Sequence, residues 1–235
     1  CGGYGVFGQN CTVYRYADHC IIVDTGIRFD DEPNIRGSLI TDLDFLEEYL
    51  GKIAYVFTHA HEDHIGGITG LWDRYQGPIY STSFTSGILA RRFGGLIEKS
   101  IECCENGKVY RHGELSFEFL SVSHSIPDAN AVLIGAPKGR ILHTGDFKLA
   151  PSLQKNSTLA VCSQITQLKD IDILISDSTN AGVPGYCPSE KVVVNTIKNF
   201  LCRQLKPTII SCFSSNVGRI EAVAIASIFA FSNSS

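Results

Sequence analysis

"FTHAHEDHIGG", residues 57–67, places three histidines and two acids in the short run from His59 to His64. The whole chain has only 7 histidines. A solvated turn has no need of that concentration. A core has no use for it either, because each polar head buried without a partner costs free energy. The spacing H-x-H-x-D-H supplies imidazole nitrogens and a carboxylate oxygen, donors that a divalent zinc ion accepts. Alternate residues of an extended turn point to one side, so His59 and His61 can share one ion. Asp63 and His64 lie just beyond and can serve a second.

The flanking sequence supplies a scaffold. "KIAYVFT" (52–58) reads as a buried strand running straight into the histidines, and "CIIVDTG" (20–26) as another. "TDLDFLEEYL" (41–50) has Thr41 as N-cap, Asp44 three residues on, and apolar positions at helical spacing. A helix is expected over "IGGITGLWDRY" (65–75), then a strand at "PIYST" (78–82) and a helix at "SFTSGILARRF" (83–93). Strands follow at "LSFEFLSVSH" (115–124), "NAVLIGAP" (130–137), "RILHTGD" (140–146) and, fully buried, "IDILISDS" (171–178). Beyond "CPSE" come a helix over 191–203, a strand at "PTIISCF" (207–213) and a helix over 216–230. Hairpins mixed with crossover helices predict an α/β fold with helices covering sheets in layers. The alternation after about residue 190 reads as the opening of a second domain.

Bulk properties narrow the function. The chain has 235 residues, 44% hydrophobic and 19% charged, a globular composition. No apolar run is long enough to span a membrane. The net charge of −4 argues against a broad basic face gripping nucleic acid through phosphates alone. A bound metal can still supply local positive charge. The 9 cysteines lack disulfide-framework spacing, so they read as reduced thiols of a cytoplasmic protein serving as small apolar residues. The chain begins at Cys1 and holds no Met, which reads as a fragment. Gly3, Gly5 and Gly8 of "CGGYGVFGQN" match G-x-G-x-x-G, but no strand precedes them and strand-like "TVYRY" follows. A glycine-rich turn at a sheet edge fits better than a dinucleotide site.

A metal bound by the cluster needs ligands from elsewhere, and three residues after strands offer themselves: Asp24, His124 and Asp146. Strand ends converging on one sheet edge are how α/β proteins build sites. Together "VDTG", "THAHEDHIGG", "SHSIPDA", "TGDFK" and "SDSTNA", in that order, resemble the metallo-β-lactamase superfamily and, within it, the β-CASP nuclease branch. The histidine motif marks only the superfamily; the last three stretches are more specific.

The resemblance implies an αββα sandwich over residues 1–190 and an incomplete β-CASP domain over 191–235. It implies a zinc-dependent hydrolase of RNA phosphodiesters, acting as an exo- or endonuclease, with a homo-oligomer left open for a longer parent. His59, His61 and His124 would bind one zinc, Asp63 and His64 the other, and Asp146 would bridge them. Asp24 would orient the cluster from behind, while Asp63, His64 and Asp177 would carry catalytic roles, Asp177 by supporting a histidine further along.

This sequence departs from that family at Val6, where glutamate is usual, and at Gly218, where histidine is usual. No histidine follows His143, so the second zinc is short of a ligand and one well-held ion is expected in this chain. The competing readings are another hydrolase on the same fold, of thioesterase, lactamase or DNA-nuclease type, and a non-catalytic decayed copy. His19 and His112 read as turn residues, His143 as a satisfied strand histidine, and Trp72 as packing.

Overall fold

The computed structural model describes residues 1–29, 37–149, 165, 167–185, 187–204 and 206–232. Two five-stranded sheets face each other. The first has the order β1-β2-β5-β6-β7, from Thr12–Tyr16, His19–Val23, Ile53–Val56, Ile79–Thr82 and Ile101–Cys104. The second has the order β12-β11-β10-β9-β8, from Ile173–Ile175, Gly139–His143, Asn130–Ala136, Leu115–Ser121 and Val109–His112. A two-stranded ribbon, β3 (Arg28–Phe29) and β4 (Ser38–Leu39), stands apart. In the first sheet β1 and β2 form a hairpin and the remaining pairs are parallel. In the second only β11 and β12 run parallel.

The period of two along each strand builds two clusters. Ile21, Val23, Ala54 and Val56 join Phe117, Phe119, Val132 and Ile134 between the sheets. Ile22, Ile53, Tyr55 and Phe57 belong to the other cluster, with Leu46, Ile65, Ile68, Leu71, Trp72 and Leu89 of the helical layer. Trp72 is buried with its ring 6.0 Å from that of Tyr55, a packing residue as expected.

The helical layer departs from the sequence reading at its start. Residues 44–49 form a 3₁₀ helix whose N-cap position is Leu43, not Thr41; Asp42 Oδ1 accepts the Asp44 N–H at 2.8 Å in the turn that leads into it. The segment expected as one helix over 65–75 is broken into α1 (Glu62–Ile65) and α2 (Ile68–Trp72). The break comes where Gly67 donates its N–H to the Thr25 carbonyl at 2.6 Å, an approach that a side chain there would obstruct. The longer helix α3 spans Ser83–Ile97. Strands β7 and β8 had no counterpart in the sequence reading.

Three further expectations are corrected. Strand β12 forms as expected, but Ile173 and Leu174 are half exposed. It is the terminal strand of its sheet, and no described strand covers its free edge. "PTIISCF" forms no strand, with Ile209 almost fully exposed; among the described residues its β-branched side chains have no neighbouring ladder to join. His112 ends β8 instead of lying in a turn, and its Nε2 meets the Lys52 carbonyl at 2.9 Å. His143 pairs with the Tyr14 hydroxyl at 2.9 Å, a satisfied strand histidine.

Cysteine packing holds for Cys11, Cys20 and Cys104, which are buried; Cys1, Cys103, Cys187, Cys202 and Cys212 are exposed. Cys162 lies outside the described residues. Beyond the sheets, α4 (Glu190–Leu201) is capped by Ser189, whose Oγ accepts the Val192 N–H. It packs with α5 (Val217–Ser232). Among the described residues no helix is long and apolar enough to cross a membrane.

The tightest joint lies between the end of β2 and the histidine turn. A Cβ on Gly26 would overlap the Asp63 carbonyl, and the Asn10 N–H lies close by. Gly26→Ala is therefore expected to cost about 1–3 kcal/mol, the usual range for overpacking. Thermal unfolding of the variant against the parent reads this directly, and an unchanged midpoint would refute the crowding.

Candidate metal centre

The site sits where four strand ends meet. After β5, Phe57 and Thr58 continue the strand direction, and His59 to His61 form an extended turn before α1. The turn is pinned from outside. The Asn10 N–H donates to the Asp63 carbonyl at 3.0 Å, and the Thr25 N–H donates to the His64 carbonyl at 2.7 Å. These bonds satisfy carbonyls that a short helix leaves open and fix the direction of each side chain.

Three imidazole nitrogens converge. His59 Nε2 lies 3.0 Å from His61 Nδ1, which lies 3.1 Å from His124 Nε2. The Asp146 carboxylate divides between two neighbours: Oδ2 is 3.6 Å from His124 Nε2, and Oδ1 is 3.3 Å from His64 Nε2. His64 Nε2 is also 3.7 Å from Asp63 Oδ2. Two groups result, His59, His61, His124 and Asp146 in one and Asp63, His64 and Asp146 in the other, each with ligand atoms within 4.8 Å of one another. Asp146 belongs to both.

The donor spacing fits an ion. A tetrahedral ion with bonds of about 2.0–2.1 Å holds neighbouring ligand atoms about 3.4 Å apart. Burial lowers the pKa of His59, and the neighbouring histidines lower it further. Burial likewise brings His124 to about 4, despite the opposing pull of Asp146. His61 is lowered as well, chiefly by burial. Neutral imidazoles with lone pairs turned toward one another are the form that binds a cation.

Asp24 controls the back of the site. It is buried and has a φ of +61°, a left-handed conformation that aspartate tolerates better than most residues. Its Oδ1 accepts the Thr58 N–H at 2.8 Å, and its Oδ2 accepts the Thr58 hydroxyl at 2.8 Å. The same Oδ2 lies 2.7 Å from His64 Nδ1. With its proton committed to Asp24, the Thr58 oxygen is free to accept from His59 Nδ1, 3.0 Å away. This chain assigns the protons of His59 and His64 to Nδ1 and leaves both Nε2 atoms facing the cluster. Burial alone would lower the His64 pKa; the charges of Asp24 and Asp146 outweigh it and hold the ring well above its ordinary value, so without an ion Nε2 also carries a proton, which a cation bound there would displace. Burial would raise Asp146, and its bond to His64 reverses that.

Every histidine and aspartate marked in the sequence as a ligand thus lies in this cluster. Glu62, in the middle of the motif, turns away to Arg92. Asp177 belongs to neither group and lines the same cavity as Asp63, His64 and Asp146. Its Oδ1 accepts the Thr179 N–H at 2.9 Å and hydroxyl at 2.7 Å, and its own N–H donates to Thr144 Oγ1 at 3.0 Å. It therefore braces the turn that carries Asp146. The sequence reading missed Asn10, whose Nδ2 reaches Asp63 Oδ2 at 3.2 Å and His64 Nε2 at 3.0 Å. It also missed Thr58. The available signals were an amide-bearing residue just before β1 and a hydroxyl directly preceding the first histidine.

A family model described as the metallo-beta-lactamase superfamily matches residues 4–173, and the chain belongs to that superfamily. Its curated relatives include ribonuclease J of Thermus thermophilus, 36% identical over 94% of this chain and 41% of that protein. Ribonuclease J of Mycobacterium tuberculosis is 35% identical over 97% of this chain and 42% of that protein. The chain therefore spans about two fifths of the length of these relatives. A solved structure of a protein of unknown function from Enterococcus faecalis V583 shares the fold, with a TM-score of 0.70 at 21% identity. That match covers 96% of this chain and 64% of the other.

Proposed function

We propose that this chain carries the metal-binding half of a cytoplasmic, zinc-dependent nuclease that hydrolyses RNA phosphodiester bonds. The observation carrying this reading is the convergence of His59, His61 and His124 with Asp146, next to a second group that shares Asp146. The choice of RNA among possible phosphodiesters is supported by the similarity to ribonuclease J over almost the whole chain.

His59, His61, His124 and Asp146 would hold one ion, and Asp63, His64 and Asp146 a second. Bound there, a divalent cation supplies Lewis acidity, lowering the pKa of water and neutralising phosphate charge. The protein's own part is orientation. Asp24 and Thr58 fix the two Nδ1 protons, Asn10 holds Asp63 against His64, and Asp177 braces the Asp146 turn as a positioning residue. Residues 191–235, with α4 and α5 packed together, are read as the opening of a β-CASP domain.

Among the described residues the second group has one protein ligand fewer than the first, and the chain has no histidine after His143 that could offer a proton to the leaving oxygen. General acid catalysis is worth about 10²–10⁴-fold, so turnover by this chain is expected to be slow. The test is cleavage of 5′-monophosphorylated RNA by the purified chain. Slow cleavage, abolished by a chelator and restored by zinc or manganese, is the expected result. Hydrolysis of a thioester or β-lactam with none of RNA would overturn the reading in favour of another hydrolase on this fold.

A further inference from the structure

The glycine-rich opening, read from the sequence as an edge turn, is built around the mouth of the metal centre. Its two ends are fastened. Gly2 donates its N–H to the Cys11 carbonyl at 2.9 Å, and Gln9 donates to the Ile27 carbonyl at 3.0 Å. Between them the chain arches through Gly3, Gly5 and Gly8, with φ of +82°, +75° and +83°. These left-handed conformations are open to glycine at little cost. A Cβ on Gly5 would meet nothing, so it is the backbone conformation, not crowding, that favours glycine there.

The arch presents two aromatic rings to solvent. Phe7 is 77% exposed and Tyr4 60%. Both line a cavity of about 380 Å³ whose lining also includes Asp63, His64, Asp146 and Ser176 to Thr179. Neither ring is buried in the fold; the Tyr4 hydroxyl touches Thr12 Oγ1 at 3.4 Å, which leaves its ring face open. The cavity's described lining contains no lysine or arginine, and the chain carries a net charge of −4. The described lining therefore offers a nucleic acid strand no cationic side chain for phosphate neutralisation at this mouth. Stacking can hold one there, because every base has a π face and unpaired bases pack on aromatic side chains whatever their sequence.

We propose that Phe7 and Tyr4 form a stacking platform for unpaired bases of a single-stranded RNA whose phosphate enters the metal centre. This rests on the reading of the chain as an RNA hydrolase and adds the element that grips the substrate. Recognition here is of single-strandedness, without preference for a hydrogen-bonding pattern. A base in a duplex has its faces covered and cannot use the platform.

The test is fluorescence anisotropy of a labelled oligoadenylate decamer bound to the full chain with zinc present, over a series of salt concentrations. Phe7→Ala and Tyr4→Ala are each expected to weaken binding about tenfold, within the range for loss of a stacked base. The salt slope should stay unchanged, since no phosphate contact is lost. Phe7→Leu keeps apolar area without a π face and should not restore affinity. Phe7→Trp should restore it, with the new indole quenched by the RNA against the buried Trp72 background. Full affinity in Phe7→Ala, alongside clear binding by the parent, would overturn the platform and leave the hydrolase reading standing. Equal recovery by Phe7→Leu would overturn stacking. No RNA binding or cleavage by the parent would overturn both proposals together.

Discussion

Asp146→Asn is expected to remove RNA cleavage by this chain altogether and to lower its affinity for divalent metal by more than 100-fold. Asp146 is the one residue common to both ligand groups, with an oxygen turned to each. Loss of a partner that only supports a ligand typically costs about 10–100-fold in metal affinity or activity. Loss of a shared ligand must cost more. Asparagine keeps the shape and removes the charge that gathers His64 and His124. The thermal midpoint of the metal-free protein should also fall, by less than in a variant at Asp24, because Asp146 is one of two carboxylates paired with the buried His64 ring. Competition of zinc against a chromogenic chelator, with RNA cleavage measured in parallel, checks both halves. A variant that keeps parental zinc affinity would remove Asp146 from the site.

Asp24→Ala is expected to have the largest effect on stability. Its carboxylate is buried against a buried His64 ring and accepts from both Thr58 donors as well. Removing one partner of a buried pair costs about 3–5 kcal/mol, because the other is left without compensation. Alanine also tolerates the left-handed backbone at this position less well than aspartate. Urea unfolding of the metal-free chain should show that loss. Asp24→Asn, which keeps the backbone preference and one acceptor oxygen, should lie between the two. A stability equal to that of the parent would mean that Asp24 does not organise the histidine turn.

The site was legible because its residues are local or lie at strand ends. His59 to His64 are adjacent in the chain, and Asp24, His124 and Asp146 each follow an apolar run that could be read as a strand. What pins them was harder to see. Asn10 reaches the site from a glycine-rich arch 53 positions before Asp63, and an amide next to glycines looks like any turn. Thr41 is a good capping residue type, but the helix begins later and puts Leu43 at the cap position. The strand expected at "PTIISCF" failed for a different reason. β-propensity describes fit to a pleated surface, and none of the described residues offers one to Ile209, which is almost fully exposed. β12 shows the same effect: an apolar sequence marks a strand, but its burial depends on what covers the sheet edge. Strand β7, with Glu102 between Ile101 and adjacent cysteines, gave no clean alternation to read.

The central claim is that His59, His61, His124 and Asp146 bind a divalent ion, and the metal content of the purified chain tests it most directly. After saturation with zinc and removal of loosely held ions, elemental analysis should find nearer one zinc than two per chain. It should find almost none in a His61→Ala chain that remains folded by circular dichroism. A parent chain that retains no zinc, or a folded His61→Ala chain that retains as much as the parent, would contradict the account.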